Sequence, residues 1–174
     1  NTDDVVAVLV EPIRSTYGDK FFDKEFFKKV RKSCDEWGVP LIFDEIQTGM
    51  GTTGTNWYYE QLGIEPDILI FGKKAQLSGK KLEATWDATV IDMIRCKHII
   101  KAYDTYKVLD NVKEMSPLLL DGLNSISKFK NVRGSGFLIG FDLETENERD
   151  ALIEEAYRNG LLVNAAGKNT IRLR

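Results

Sequence analysis

The chain has 174 residues, 43% hydrophobic and 29% charged, a balance that builds a core and excludes a disordered chain. Twenty-four Lys and Arg against 27 Asp and Glu leave a net charge of −3, so no long-range positive field is available to hold nucleic acid or an anionic membrane. No apolar run approaches the roughly 20 residues of a bilayer span, the two cysteines (Cys34 and Cys96) fit a reducing compartment rather than a disulfide framework, and the single histidine, His98, argues against multi-histidine metal sites.

The chain opens on Asn1-Thr2-Asp3-Asp4 without an initiator Met and closes on the strand-like Ile171-Arg172-Leu173-Arg174. Both ends read as cuts, so we expect a fragment of a longer protein. Val5–Val10 is a continuous apolar run, the pattern of a parallel strand buried on both faces. Pro12 and Gly18 mark the loop after it. Phe22–Trp37 has helical spacing, with Phe22, Phe26, Phe27 and Val30 on one stripe, and Gly38 closes it. Trp37, Phe26 and Phe27 are expected in the core. A second strand, Val39–Phe43, ends in Asp44-Glu45. A Gly- and Thr-rich loop covers 48–54, a short helix 57–62, and a third strand Asp67–Phe71 leads into Gly72-Lys73-Lys74. This alternation predicts a doubly wound parallel sheet.

The second half reads differently. Helices are expected over 87–106 and 111–127, with Pro117 marking a start or a kink in the second. Asn131–Phe137 leads into an alternating strand, Phe137–Leu143. A helix over 148–158 takes Asn147 as its N-cap and Gly160 as its stop. Leu161–Val163 and Thr170–Arg174 are expected as short strands. The pattern predicts an α/β unit over 1–96, then a linking helix and an α+β unit over 97–174.

In open parallel sheets, ligands sit beyond the C-terminal ends of the strands. Here three such ends carry polar groups: Glu11 after Val10, Asp44-Glu45-Ile46-Gln47 after Phe43, and Lys73-Lys74 after Phe71. Each taken singly is an ordinary loop start or solvated charge. Together they deliver a carboxylate, an amide and an amine to one edge. A desolvated amine is a Schiff-base nucleophile, and a buried carboxylate requires a cationic partner. Pyridoxal phosphate answers both needs, with an aldehyde for the lysine and a ring nitrogen for the aspartate, and is one of several ligands that this set suits.

Glu11-Pro12-Ile13, the run Leu41-Ile42-Phe43-Asp44-Glu45-Ile46-Gln47-Thr48-Gly49 and Phe71-Gly72-Lys73-Lys74 resemble the class III (fold type I) pyridoxal-phosphate aminotransferases. Ala84-Thr85-Trp86, Val132–Gly136 and Thr170–Arg174 agree with it. Within the family the wording is closest to the lysine 6-aminotransferase branch, with the 4-aminobutyrate branch near it. The resemblance implies that 1–96 is the later part of a doubly wound large domain, and that 97–174 is a linking helix and part of an α+β C-terminal small domain. It implies transfer of a terminal amino group from a lysine or 4-aminobutyrate type donor to 2-oxoglutarate, through a Schiff base on a lysine. Asp44 would pair with the ring nitrogen and Gln47 with the ring hydroxyl. Lys74 would be the Schiff-base lysine, with Lys73 its rival. Thr85 would hold the cofactor phosphate of a neighbouring subunit in a homodimer with shared sites, and Arg172 would take a substrate carboxylate. The substrates would be a small amino acid and a 2-oxo acid, in the cytoplasm or the mitochondrial matrix, with no nucleic acid and no membrane span.

Several residues depart from the pattern. The family has a glutamate where Thr16 stands; in the ω-amino branch that glutamate pairs with the carboxylate-binding arginine. Arg14 replaces a glutamine, Asp87 follows Trp86 where a glycine is usual, and the stretch from Gly79 to Thr85 is short. The family's phosphate-cradling loop and ring-stacking aromatic would lie outside this chain. Two functions therefore stay open: an active aminotransferase, and a catalytically inactive homologue kept as a structural subunit.

Overall fold

The computed structural model describes residues 4–75 and 90–174. Thr85, Trp86, Asp87 and the short stretch 79–85 lie outside the described residues. The chain divides into two compact units.

The first unit (1–12, 22–51 and 55–109) holds a three-stranded parallel sheet of β1 (Val8–Val10), β4 (Leu41–Asp44) and β5 (Ile68–Ile70), ordered β1-β4-β5. Between β1 and β4 the chain forms α1 (Lys24–Trp37). Asp23 caps it by accepting the Phe26 N–H at 2.9 Å, and Gly38 ends it at φ +67°. Phe27 packs edge-on against Phe43 of β4, ring centres 5.6 Å apart, with both residues fully buried. Trp37 and Phe26, expected inside, stay 48% and 43% exposed. Phe26 stacks instead on Phe22 at 5.2 Å, on the flank of the stripe that Phe27 centres. Val6 and Leu9 are also exposed, because β1 is the edge of the sheet. The expected burial of Val5–Val10 on both faces is therefore not found. Between β4 and β5 lies the one-turn α2 (Tyr59–Leu62), and the 3-10 turn Lys73–Ala75 comes after β5. The helix α3 (Val90–Thr105) buries none of its residues.

The second unit (13–21, 52–54 and 110–174) is an antiparallel sheet ordered β6-β7-β9-β8: β6 (Lys130–Ser135), β7 (Leu138–Asp142), β9 (Thr170–Leu173) and β8 (Asn164–Ala166). Helix α5 (Glu146–Arg158) and most of α4 (Val108–Asn124) belong to it, together with the small hairpin of β2 (Ile13–Arg14) and β3 (Lys20–Phe21). Phe141, Leu143, Val163 and Ile171 form the core with Leu123, Phe129, Leu152 and Ala156 around them, and Phe129 stacks on Phe141 at 4.2 Å.

Pro117 lies well inside α4, so of its two readings the start is excluded. Three local expectations change. The cap of α5 is Thr145 rather than Asn147, because Thr145 and Glu148 exchange hydrogen bonds as a capping box. Leu161–Val163 is not a strand; pairing with β9 falls on Asn164–Ala166 instead. The lead-in 131–135 is itself a strand, β6, with a register irregularity between Lys130 and Arg133. Gly136 makes the tight β6–β7 turn at φ +57°; a Cβ there would come within 2.2 Å of Thr52 O.

Candidate active site

Asp44 ends β4 and pairs in register with Ile70, the last residue of β5. The next amide, Glu45 N–H, donates to Ile70 O at 2.8 Å. Both strands therefore end at the same edge of the sheet, and their outgoing loops meet beyond it. After β5 the backbone turns at once. Lys73 takes φ +46°, a left-handed conformation that a lysine adopts only under local demand. That turn leaves Lys73 exposed and Lys74 half-buried. Lys74 Nζ donates to Gln47 O at 3.0 Å, so its amine lies on the loop that Asp44 begins. Asp44 Oδ1 accepts the Ile46 N–H at 3.0 Å, an Asx turn that fixes the carboxylate at the strand end and leaves Oδ2 as an acceptor for a cationic donor.

The loop itself is held by Glu45, a residue whose role no sequence motif marks. Glu45 is 1% exposed. Its Oε2 accepts the Tyr58 N–H at 2.6 Å and the Thr48 hydroxyl at 2.9 Å, and its Oε1 accepts the Tyr59 N–H at 2.8 Å. Burial pushes its carboxyl up; the two amides and the Thr48 hydroxyl pull the other way. Glu45 thus ties the residues after Asp44 to the start of α2. Trp57 closes the same loop from the other side, its ring 5.4 Å from that of Phe71. A Cβ on Gly49 would come within 2.6 Å of the Trp57 ring, so only glycine fits there. Trp57 is therefore a packing residue of the loop. Tyr103 of α3 adds a further tie, its hydroxyl donating to Met50 O at 2.7 Å.

Arg172 lies in the second unit, on β9. It is half-buried, and its Nη1 donates to Ser15 O at 3.0 Å. Its Nε is buried without a hydrogen-bond partner. Thr16 is exposed, and Arg14 places its guanidinium 4.4 Å over the Tyr17 ring. Thr85 lies outside the described residues. The structure thus brings Asp44, Gln47 and Lys74 to one sheet edge and seats Arg172 among the residues of the β2–β3 hairpin.

The donor set at that edge is chemically specific. A carboxylate, an amide-bearing residue and a half-buried amine suit a ring carrying a basic nitrogen, a hydroxyl and an aldehyde. The model of the family described as Aminotransferase class-III matches residues 1–174. The chain belongs to the class-III aminotransferase family.

Among its relatives, L-lysine-epsilon aminotransferase of Mycobacterium tuberculosis is 34% identical over 194 residues, 98% of this chain and 43% of the relative. A 4-aminobutyrate aminotransferase of Schizosaccharomyces pombe is 32% identical, over 98% of this chain and 40% of that protein. A solved lysine aminotransferase from M. tuberculosis in the internal aldimine form superposes with a TM-score of 0.92 at 32% identity, covering 98% of this chain and 45% of the other. An ornithine aminotransferase from Plasmodium yoelii, 21% identical, shares the fold at a TM-score of 0.87. The fold is that of the fold type I aminotransferases, as the resemblance implied. The chain spans less than half the length of these lysine and 4-aminobutyrate relatives. The M. tuberculosis match extends over 194 positions against 174 residues here, so that relative also carries internal residues that this chain lacks.

Proposed function

We propose that the protein carrying this chain is a pyridoxal-phosphate aminotransferase that moves a terminal amino group from a lysine or 4-aminobutyrate type donor to a 2-oxo acid such as 2-oxoglutarate. The observation that carries this reading is the 3.0 Å bond from Lys74 Nζ to Gln47 O, which sets an amine on the loop begun by Asp44. Pyridoxal phosphate supplies, when bound, an electrophilic carbonyl carbon and a ring that withdraws electrons while its nitrogen is protonated.

On this reading each residue has a role. Asp44 keeps a ring nitrogen protonated by supplying the opposite charge. Gln47 takes the ring hydroxyl. Lys74 would supply the amine for the carbonyl carbon and would hold a proton for the substrate carbon. Lys73 is the exposed one of the two lysines. Arg172 takes a substrate carboxylate through its planar fork. Thr85 holds a phosphate across a dimer interface. The apolar side chains that α3 exposes, Ile91, Met93, Ile94 and Ile100, support a surface that is covered in a homodimer. No described helix is long and apolar enough to cross a membrane. Free Cys34 and Cys96 support a reducing compartment, the cytoplasm or mitochondrial matrix.

A second reading, a homologue without turnover, is favoured by Thr16 where the family has a glutamate and by residues of the longer relatives that have no counterpart here. Adding cofactor to the purified intact protein separates the two. An active enzyme develops visible absorbance that lysine or 4-aminobutyrate discharges and 2-oxoglutarate restores, and the faster donor identifies the branch. A protein that binds cofactor but shows no donor-dependent spectral change has the second function.

A further inference from the structure

Asp19, on the turn between β2 and β3, is fully buried, and neither carboxylate oxygen accepts a hydrogen bond of good geometry. The nearby Ser15 hydroxyl makes its defined bond to Ile13 O at 3.4 Å. Asp19 packs on Gly140 of β7, where a Cβ would stand 3.4 Å from Asp19 Oδ2, and Gly140 pairs in register with Arg172 of β9. A buried carboxylate without hydrogen bonds stays ionised only beside a cation.

The charged groups around it come from five strands. Arg133 of β6 donates to Asp19 O at 3.1 Å but gives Nη2 to Asp142 Oδ1 at 2.9 Å. Asp142 of β7 is taken up by Arg133, by Thr170 at 2.6 Å and by Asn131 at 3.0 Å. Arg14 of β2 is stacked on Tyr17, and Lys20 of β3 is exposed. That leaves Arg172 of β9 and Arg174 just after it. Arg172 is the strongest of the cations acting on Asp19, and its buried Nε has no hydrogen-bond partner. The cluster thus holds a fully buried acid and a buried guanidinium nitrogen that has no hydrogen-bond partner, in a chain whose Thr16 cannot supply a charge.

We propose that Asp19 is the resident counter-charge of Arg172: it balances the guanidinium when no substrate carboxylate is present, and it sets how tightly Arg172 takes one. This rests on Arg172 being the carboxylate ligand of the proposed function. Asp19 is a positioning residue that acts through Arg172. Burial lifts its carboxyl to about 6, against the pull of Arg172, Arg174, Arg133 and the Ser15 hydroxyl. A second carboxylate arriving on Arg172 disfavours the ionised form of Asp19, so binding draws a proton onto Asp19. By reciprocity, carboxylate affinity falls as pH rises and Asp19 ionises.

Glutarate titrated calorimetrically into the cofactor-loaded protein, in two buffers of different ionisation enthalpy, tests this. Affinity is expected to fall about threefold to tenfold from pH 6 to pH 8, with net proton uptake on binding. Asp19→Asn is expected to bind glutarate more tightly at pH 8, with a flatter pH profile and less proton uptake. Should that variant not fold, Asp19→Ser is read in the same way. Absence of proton uptake in the native protein, or an unchanged pH profile in the uncharged variant, overturns the proposal. Arg172→Ala keeps the two readings apart. If it binds glutarate as before, Arg172 is not the carboxylate ligand and both fail. If it loses glutarate while Asp19→Asn behaves as native, only the counter-charge fails.

Discussion

Lys73 and Lys74 are identical in type and adjacent, yet one backbone angle separates them. Lys73 takes the left-handed turn and is exposed, whereas Lys74 is half-buried and donates to the Gln47 carbonyl. Lys74→Ala is expected to lower kcat by about 10³-fold or more, as loss of a covalent catalyst does, while Lys73→Ala stays within a few-fold of native. Steady-state rates with lysine as donor read the difference. Glu45 accepts three donors from within the first unit. Glu45→Gln turns an acceptor into an NH₂ group facing N–H donors, and is expected to cost about 1–3 kcal/mol, seen as a lower Tm. Gly49→Ala drives a methyl into the Trp57 ring and is expected to cost about 1–3 kcal/mol, with part recovered in the Gly49→Ala, Trp57→Leu double variant. Asp44, Gln47 and Lys74 were legible in the sequence because they stand just past apolar runs, where strand ends present polar groups. Glu45 was not, because its partners Tyr58 and Tyr59 come to it only through the folded loop. Asp19 was silent for the same reason: a polar residue after a Gly reads as turn, and its burial depends on β6, β7 and β9.

At the scale of elements, hydrophobic period located the helices and the paired strands β4 and β5. It failed where backbone pairing rather than burial makes the strand. β6 contains Asn131 at φ +49° and a glycine, and no apolar alternation marks it. The apolar Leu161 and Leu162 are 57% and 78% exposed, and the strand β8 falls on Asn164–Ala166 beyond them. The start of α5 was misplaced by two residues because a capping box needs both its ends recognised; Thr145→Ala is expected to cost about 1 kcal/mol, measurable by thermal unfolding. The β2–β3 hairpin carries the pH dependence. Asp19 holds its proton more tightly folded, at about 6, than unfolded, near 3.8. Its stabilising contribution is therefore full below pH 4 and lost as pH rises through 6, at most about 3 kcal/mol. Asp19→Asn is expected to raise Tm at pH 8 relative to native and to leave it little changed at pH 4. An equal effect at both pH values would assign Asp19 a packing role instead.

For the molecule as a whole, the proposed function draws on residues of each unit: Asp44, Gln47 and Lys74 belong to the first and Arg172 to the second. The family was legible because its residues lie in short contiguous runs. The proposed function depends on Lys74 being the amine for the cofactor's carbonyl carbon. Borohydride reduction of the cofactor-loaded intact protein, with peptide mass mapping of the product, tests that assignment without relying on turnover. We expect the phosphopyridoxyl mass on Lys74 alone, on a peptide containing Phe71-Gly72-Lys73-Lys74. Label on Lys73, or no label on either lysine while the cofactor's visible absorbance is present, would refute it.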